Sequence, residues 1–227
     1  MTEFKVSKPT PYYLQFYSQI KKMIFEGTLQ QGSRINETQL AKDFGVSRSP
    51  VREAMRLLEK DGLLIADDKN GFTVYTLSIK DVEEIYQIRM ALESLAVERV
   101  IEEANKDNLL AIETQLQQAE DAINRKAEEK TIIELNKNFH HLLVDLSNNR
   151  HLSTLLDNVN VLIYFCRVLN FRNNRASEIL SEHKLIFAEI KNGDKQAAKQ
   201  VMVDHLTNDL THLKKVLLNA EAVNNQG

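Results

Sequence analysis

The sequence predicts a mostly α chain, with an N-terminal winged helix-turn-helix over residues 1–76 and an all-α antiparallel six-helix bundle over 77–227. Three observations carry this reading. Residues 36–58 read as helix, glycine turn and helix, with small and apolar residues where two helices would cross. Two short β-prone runs then flank a turn-rich stretch at 67–71. From Ser78 onward apolar residues recur at helical spacing and no convincing strand is found.

Each element follows from local chemistry. Leu14, Phe16, Tyr17, Ile20, Met23 and Ile24 lie close to helical period, closed by Gly27, and predict a helix over 12–27. Residues 28–36 read as a turn around Gly32. Helices follow over about 37–44 and 48–60. Ala41 is small at the helix crossing, Gly45 supplies the positive φ of the turn, and Val51 buries against the first motif helix. Ser47 is expected to cap the second helix through its hydroxyl, with Pro50 in its first turn where a missing N–H does no harm. Asp61-Gly62 ends that helix. Leu63-Leu64-Ile65 begins a strand, Asp67-Asp68-Lys69-Asn70-Gly71 turns it, and Phe72-Thr73-Val74-Tyr75 returns, giving a two-stranded wing.

In the second domain Ser78 is expected to cap a long helix with Asp81 at the capping-box position and an apolar stripe of Val82, Ile85, Ile88, Leu92 and Leu95. Further helices are predicted over 107–126, 130–147, 150–171, 176–192 and 194–219. Asn192-Gly193 is the clearest stop, Asp194 the next cap, and residues 219–227 a frayed tail.

Composition narrows the function. The 227 residues are 43% hydrophobic and 27% charged, as in a soluble globular protein, with no apolar run of membrane-spanning length and no signal-peptide core, so the cytoplasm is expected. One cysteine, Cys166, excludes an intrachain disulfide and a cysteine-based zinc finger. The net charge of −3 divides into +2 for residues 1–76 and −5 for the remainder. The basic excess therefore lies with the helix-turn-helix. Ser47, Arg48, Ser49 and Arg52 stand at the N-terminus of its second helix, the end that meets base edges and phosphates when such a helix enters the major groove. The pattern implies DNA binding, with Gly71 at the wing placed against the minor groove and Arg56 and Lys60 on the solvated face.

These motifs resemble the GntR family of bacterial transcription regulators, and within it the FadR subfamily, whose second part is the FCD domain; the six helices resemble its smaller, VanR-type members. The resemblance rests on Ile24-Phe25-Glu26-Gly27, Gly32, Ile35-Asn36-Glu37, Leu40-Ala41, the run from Gly45 to Ala54, Leu58, Asp61-Gly62-Leu63 and Gly71. In the bundle it rests on Arg89-x-x-x-Glu93, Asn138-Phe139-His140, Asn149 with Leu152, Glu182-His183 and Asp204-His205-Leu206. It implies that Arg48 and Arg52 contact guanine edges and phosphates, each bidentate contact worth about 1–3 kcal/mol of discrimination. A DNA-contacting arginine of one relative falls on Thr38 here, which replaces that contact or lacks it. It further implies a homodimer on a short palindromic operator in double-stranded DNA, and no membrane partner.

The resemblance also implies a buried metal held by one acidic residue and three histidines. The matching residues are Asn136, His140, His183 and His205. Asn136 and His140 are four apart on one helix face, and a helical hairpin would bring His183 and His205 to one level. Imidazoles with an oxygen ligand suit Zn²⁺, Ni²⁺ or a similar divalent ion. Asn136 departs from the usual aspartate, so the ion's charge is less compensated and an anionic ligand is favoured. Arg89 is then a candidate carboxylate clamp for a small organic-acid effector. His141, His151 and His212 read as surface or interhelical hydrogen-bonding residues. The other readings are a metal-free pocket lined by histidines, a regulator for which the ion itself is the signal, and a metal-dependent enzyme. No Glu or Asp stands beside the histidines as an obvious general base for the last.

Overall fold

The computed structural model describes residues 10–67, 71–171 and 175–224. They divide into two compact units, 1–77 and 78–227.

In the first unit, helix α1 (Tyr12–Phe25) buries Phe16, Ile20 and Ile24. It packs on helix α3 (Arg48–Lys60), which buries Val51, Ala54, Met55 and Leu58. Between them in sequence comes helix α2 (Glu37–Asp43), whose Asn36 Oδ1 accepts from the N–H groups of Thr38 and Gln39 at 3.0 Å each. Gly45 takes φ +66° and makes the turn from α2 into α3. Ser47 is the N-cap residue of α3, but its side chain makes no capping hydrogen bond, contrary to expectation. Pro50 has no N–H to cap, and the hydroxyl is left at the exposed tip of the helix.

The wing has three strands rather than two. Strands β1 (Arg34–Ile35), β2 (Leu64–Ala66) and β3 (Phe72–Val74) form an antiparallel sheet in the order β1-β3-β2. Residues 28–36 therefore do not all turn: Arg34 pairs with Thr73 and Ile35 with Phe72. A two-residue strand exists only because β3 offers it a ladder, and no local pattern announces it. Asp67 N–H donates to the Gly71 carbonyl at 3.0 Å, closing the wing, while residues 68–70 of its expected turn lie outside the described residues.

The second unit is a bundle of seven described helices, not six. They are α4 (Ile79–Glu102), α5 (Lys106–Asn124), α6 (Glu129–Leu146), α7 (Arg150–Asp157), α8 (Asn160–Phe171), α9 (Ala176–Asn192) and α10 (Lys195–Asn224). The helix expected over 150–171 breaks into α7 and α8, bent by 62°. The break falls in Asp157-Asn158-Val159-Asn160, where polar side chains compete for backbone groups. The Ser78–Asp81 capping box starts α4 as predicted. Its buried face is rotated from the expected stripe, however. Val82 and Ile85 are interior with Tyr86, Arg89, Glu93, Ala96, Val97 and Val100, whereas Ile88 and Leu95 are about 40% and 39% exposed. Hydropathy could not place Arg89 and Glu93 inside. Gly193 closes α9 at φ +74°, and Asp194 Oδ1 accepts from Ala197 N–H at 3.0 Å to start α10. That helix continues to Asn224, so the expected fraying at 219 is corrected; residues 225–227 lie outside the described residues. Cys166 is fully buried, and burial pushes its thiol up to about 12, as for an inert core residue.

Candidate functional site

The first unit presents Thr38, Ser47, Arg48, Ser49 and Arg52 together as exposed residues of the α2–α3 corner. Beneath them lies a residue singled out only as part of the family motif. Glu37, 5% exposed, accepts from Arg52 Nε at 3.0 Å and Nη2 at 2.9 Å, and stands 3.6 Å from Arg48 Nη2. One buried carboxylate thus anchors the two arginines, while each arginine side chain stays about half exposed. Arg56 pairs with Glu59 at 2.8 Å, which leaves it the surface role expected of it. Gly71 is not at an open tip. It is buried under the Arg34–Asp67 ion pair, and a Cβ there would meet Asp67 Oδ2 at 2.8 Å and Arg34 Nη2 at 2.9 Å. A side chain there would have to push aside the ends of these two flexible side chains, and the exposed cation over it is Arg34.

In the bundle, three helices bring three histidines to one point. His140 comes from α6, His183 from α9 and His205 from α10, each buried. His205 Nε2 stands 3.3 Å from His183 Nε2 and 3.3 Å from His140 Nε2. Phe139 stacks on His183 with ring centroids 3.9 Å apart and fixes its plane. The outer nitrogens are held by carboxylates: His140 Nδ1 lies 2.5 Å from Glu93 Oε2, and His205 Nδ1 lies 2.7 Å from Glu182 Oε2.

Those carboxylates decide the tautomers. Burial alone would raise the Glu93 carboxyl, but Arg89 and His140 outweigh it and hold it well below the usual range. Glu182 is also held low, with burial opposed by the His205 hydrogen bond and charge. Both are acceptors only, so Nδ1 of each partner carries a proton, and Nε2 of the neutral His140 carries a lone pair. That lone pair faces His205 Nε2 at 3.3 Å. Burial holds His140 well below its ordinary value despite Glu93. His183 is lowered too, by burial and then by its two histidine neighbours. A divalent cation would fit between these nitrogens. Two nitrogens about 2.1 Å from one ion stand about 3.0–3.4 Å apart at octahedral to tetrahedral angles.

Asn136 stands on the same helix as His140, one turn earlier. Its Oδ1 is buried without a hydrogen-bond partner, in a cleft shared with Phe139, Leu180 and His183. Of the three histidines, His183 alone lines that cleft with it. Two acids do stand beside the histidines, Glu93 and Glu182. Glu93 is committed to His140 and, through Oε1 at 2.7 Å, to Arg89 Nε, while Glu182 is committed to His205 and Arg175. Neither is free to act as a base. His141 bonds Asn160 Oδ1 at 3.1 Å and His212 Nδ1 lies 2.5 Å from Asn170 Oδ1, the interhelical roles predicted for them.

Arg89 is wholly buried, and two of its nitrogens, Nη1 and Nη2, have no partner. Sequence reading missed Arg167, which lines a second cleft with Glu93, His140 and Asn160. The signal was present: it is the sole charge in the apolar helix α8.

The family described as FCD domain matches residues 84–208, and that described as Bacterial regulatory proteins, gntR family, matches residues 12–74. The chain is 61% identical over 218 residues to the uncharacterized HTH-type transcriptional regulator YdhC of Bacillus subtilis (strain 168), covering 96% of this chain and 97% of that protein. It is 27% identical to the HTH-type transcriptional repressor RspR of Escherichia coli (strain K12), covering 90% of each. Among solved structures, E. coli McbR/YncC superposes with a TM-score of 0.72 at 23% identity, covering 91% of this chain and 99% of that one. A GntR regulator from Rhodococcus sp. RHA1 gives 0.72 at 21% identity, with the same shares of each chain covered. At these identities the structures support the fold alone. No single helix among the described residues is long and apolar enough to cross a membrane.

Proposed function

We propose, for a chain that belongs to the GntR family of bacterial regulatory proteins and carries an FCD domain, that its operator affinity is set by a small carboxylate effector bound beside a divalent ion. The broader function follows from the family: the chain is a DNA-binding transcription regulator, and its relatives are regulators rather than enzymes. The observation that carries the finer reading is the convergence of three buried imidazoles, with His205 Nε2 3.3 Å from both His140 Nε2 and His183 Nε2.

His140, His183 and His205 would hold the ion, Zn²⁺ or Ni²⁺ by donor type, with Asn136 Oδ1 as the oxygen ligand. When bound, the ion supplies Lewis-acid attraction for an anionic oxygen. Glu93 and Glu182 fix the imidazole tautomers and raise their basicity. Arg89, with two unpartnered nitrogens, supplies the charge and donors for a carboxylate. The effector acts by favouring one of two DNA-affinity states, and by linkage DNA changes effector affinity by the same factor. In the first unit, Thr38, Ser47, Arg48, Ser49 and Arg52 would meet the operator. The exposed Ile88 and Leu95, seven apart on α4, support a homodimer, which a palindromic operator requires.

The test is fluorescence anisotropy on DNA selected by the protein from a random-sequence pool. Metal-loaded protein should change its DNA affinity on adding a small carboxylate, and chelator-treated protein should not. A change on metal addition alone, with none on adding acids, would instead support the ion as the signal. No response to either would overturn effector control at this site.

A further inference from the structure

We infer that Arg167 builds a second anion-binding position in the cleft it shares with Glu93 and His140, so that the effector carries two acid groups. The inference rests on the effector reading above and names its chemical class. Arg167 is 5% exposed, and its Nε is buried with no hydrogen-bond partner. Among the described residues no carboxylate stands within ion-pair distance of it. It lines a cleft with Glu93 and His140, one wall of which is thus shared with the histidine cluster. Asp157 also lines this cleft, without pairing to Arg167.

Arg167 differs from the other buried arginines in its charge partners. Arg175 is matched by Glu178, Glu182 and Asp209 at 2.7–3.1 Å. Arg89 is matched by Glu93 at 2.7 Å. Arg167 shares Glu93 only at a distance and is repelled by Arg89. Burial and that repulsion bring its guanidinium down to about 10, so it remains a cation at neutral pH. Two guanidiniums with unpartnered donors, one wholly and one almost wholly buried, flank a single carboxylate. The hydroxyl of Tyr86, whose ring lies 4.8 Å from Arg89 Cζ, is buried without a partner as well. Buried charges and donors of this kind are costly unless a partner meets them. One acid group on the ion's open positions satisfies the metal; it leaves the Arg167 charge unmet. A second acid group on the same small molecule meets it.

The experiment compares oxalate, malonate, succinate and glutarate with formate, acetate, propionate and butyrate, by calorimetry on the full chain loaded with Zn²⁺. At least one diacid should bind about tenfold or more tighter than its monoacid, the scale of one charge-assisted hydrogen bond. Arg167→Gln should bring the two within about twofold while keeping the wild-type metal content, and Arg167→Lys should retain the preference. Equal binding of diacids and monoacids by the wild type, or a preference that survives in Arg167→Gln, would overturn the inference. Should the wild type hold no metal, the ion reading fails separately. The chelated protein then decides: loss of about tenfold in acid affinity on Arg167→Gln supports the second position, and unchanged affinity overturns it.

Discussion

His140 and His205 face each other through Nε2 atoms 3.3 Å apart, and each turns its other nitrogen to a carboxylate. Neither the pair nor its tautomers can be rearranged without unpairing Glu93 or Glu182 inside the bundle. The site is therefore set up by five residues on four helices, α4, α6, α9 and α10, before any ligand arrives.

Removing a carboxylate should weaken the metal site without removing a ligand. Glu93→Gln and Glu182→Gln are each expected to lower Zn²⁺ affinity about 10- to 100-fold, the usual cost of losing a partner behind a ligating histidine. Competition against a chromophoric chelator measures it. Unchanged affinity in both variants would mean that the carboxylates do not orient the imidazoles.

On the DNA side, Arg48→Ala and Arg52→Ala should each reduce affinity for the selected operator by about 1–3 kcal/mol, with oligomeric state and metal content unchanged. Gel-shift titration and light scattering check both halves. Normal operator affinity in both variants would remove the assignment of α3 as the recognition helix.

Glu37 should matter for a different reason. Its buried carboxylate fixes the Arg52 fork at 2.9 and 3.0 Å, so Glu37→Ala frees the arginine without deleting it. Discrimination between the operator and a single-base variant is expected to fall about tenfold or less, while non-specific binding is kept. Equal discrimination in Glu37→Ala would reduce Glu37 to a packing role.

The histidines also set a pH dependence for the metal-free protein. Burial lowers His140 and His183 below the ordinary value of about 6.5, so the unfolded chain binds more protons than the folded one in acid. Their contribution is present in full above about pH 6.5 and is lost as pH falls below it towards the folded-state values. Chemical denaturation from pH 8 to pH 5 should show stability falling below about 6.5, and less steeply in a His183→Phe variant. A flat profile would mean that the cluster is already protonated or open to water.

The legible parts of the fold were those fixed locally. Gly45, the Ser78–Asp81 box and Gly193 each depend on residues within one turn, and all three stand where sequence places them. Strand β1 depends on β3, some 38 residues away, and was not visible. The α4 stripe misplaced Ile88 and Leu95 because an interior Arg89–Glu93 pair defeats a hydropathy count. The three histidines were found from a family motif. The roles of Glu93, Glu182 and Glu37 were not, because a carboxylate behind a ligand or beneath an arginine has no spacing of its own. Glu182 adjoins His183 in sequence yet holds His205 in space.

The central claim is that the histidine cluster holds an ion, and metal content of the purified chain by plasma mass spectrometry tests it most directly. The account predicts about one equivalent of divalent metal per chain, lost in His205→Ala while that variant stays folded by circular dichroism. No metal in the wild type, even after loading with Zn²⁺ and with Ni²⁺, would contradict it.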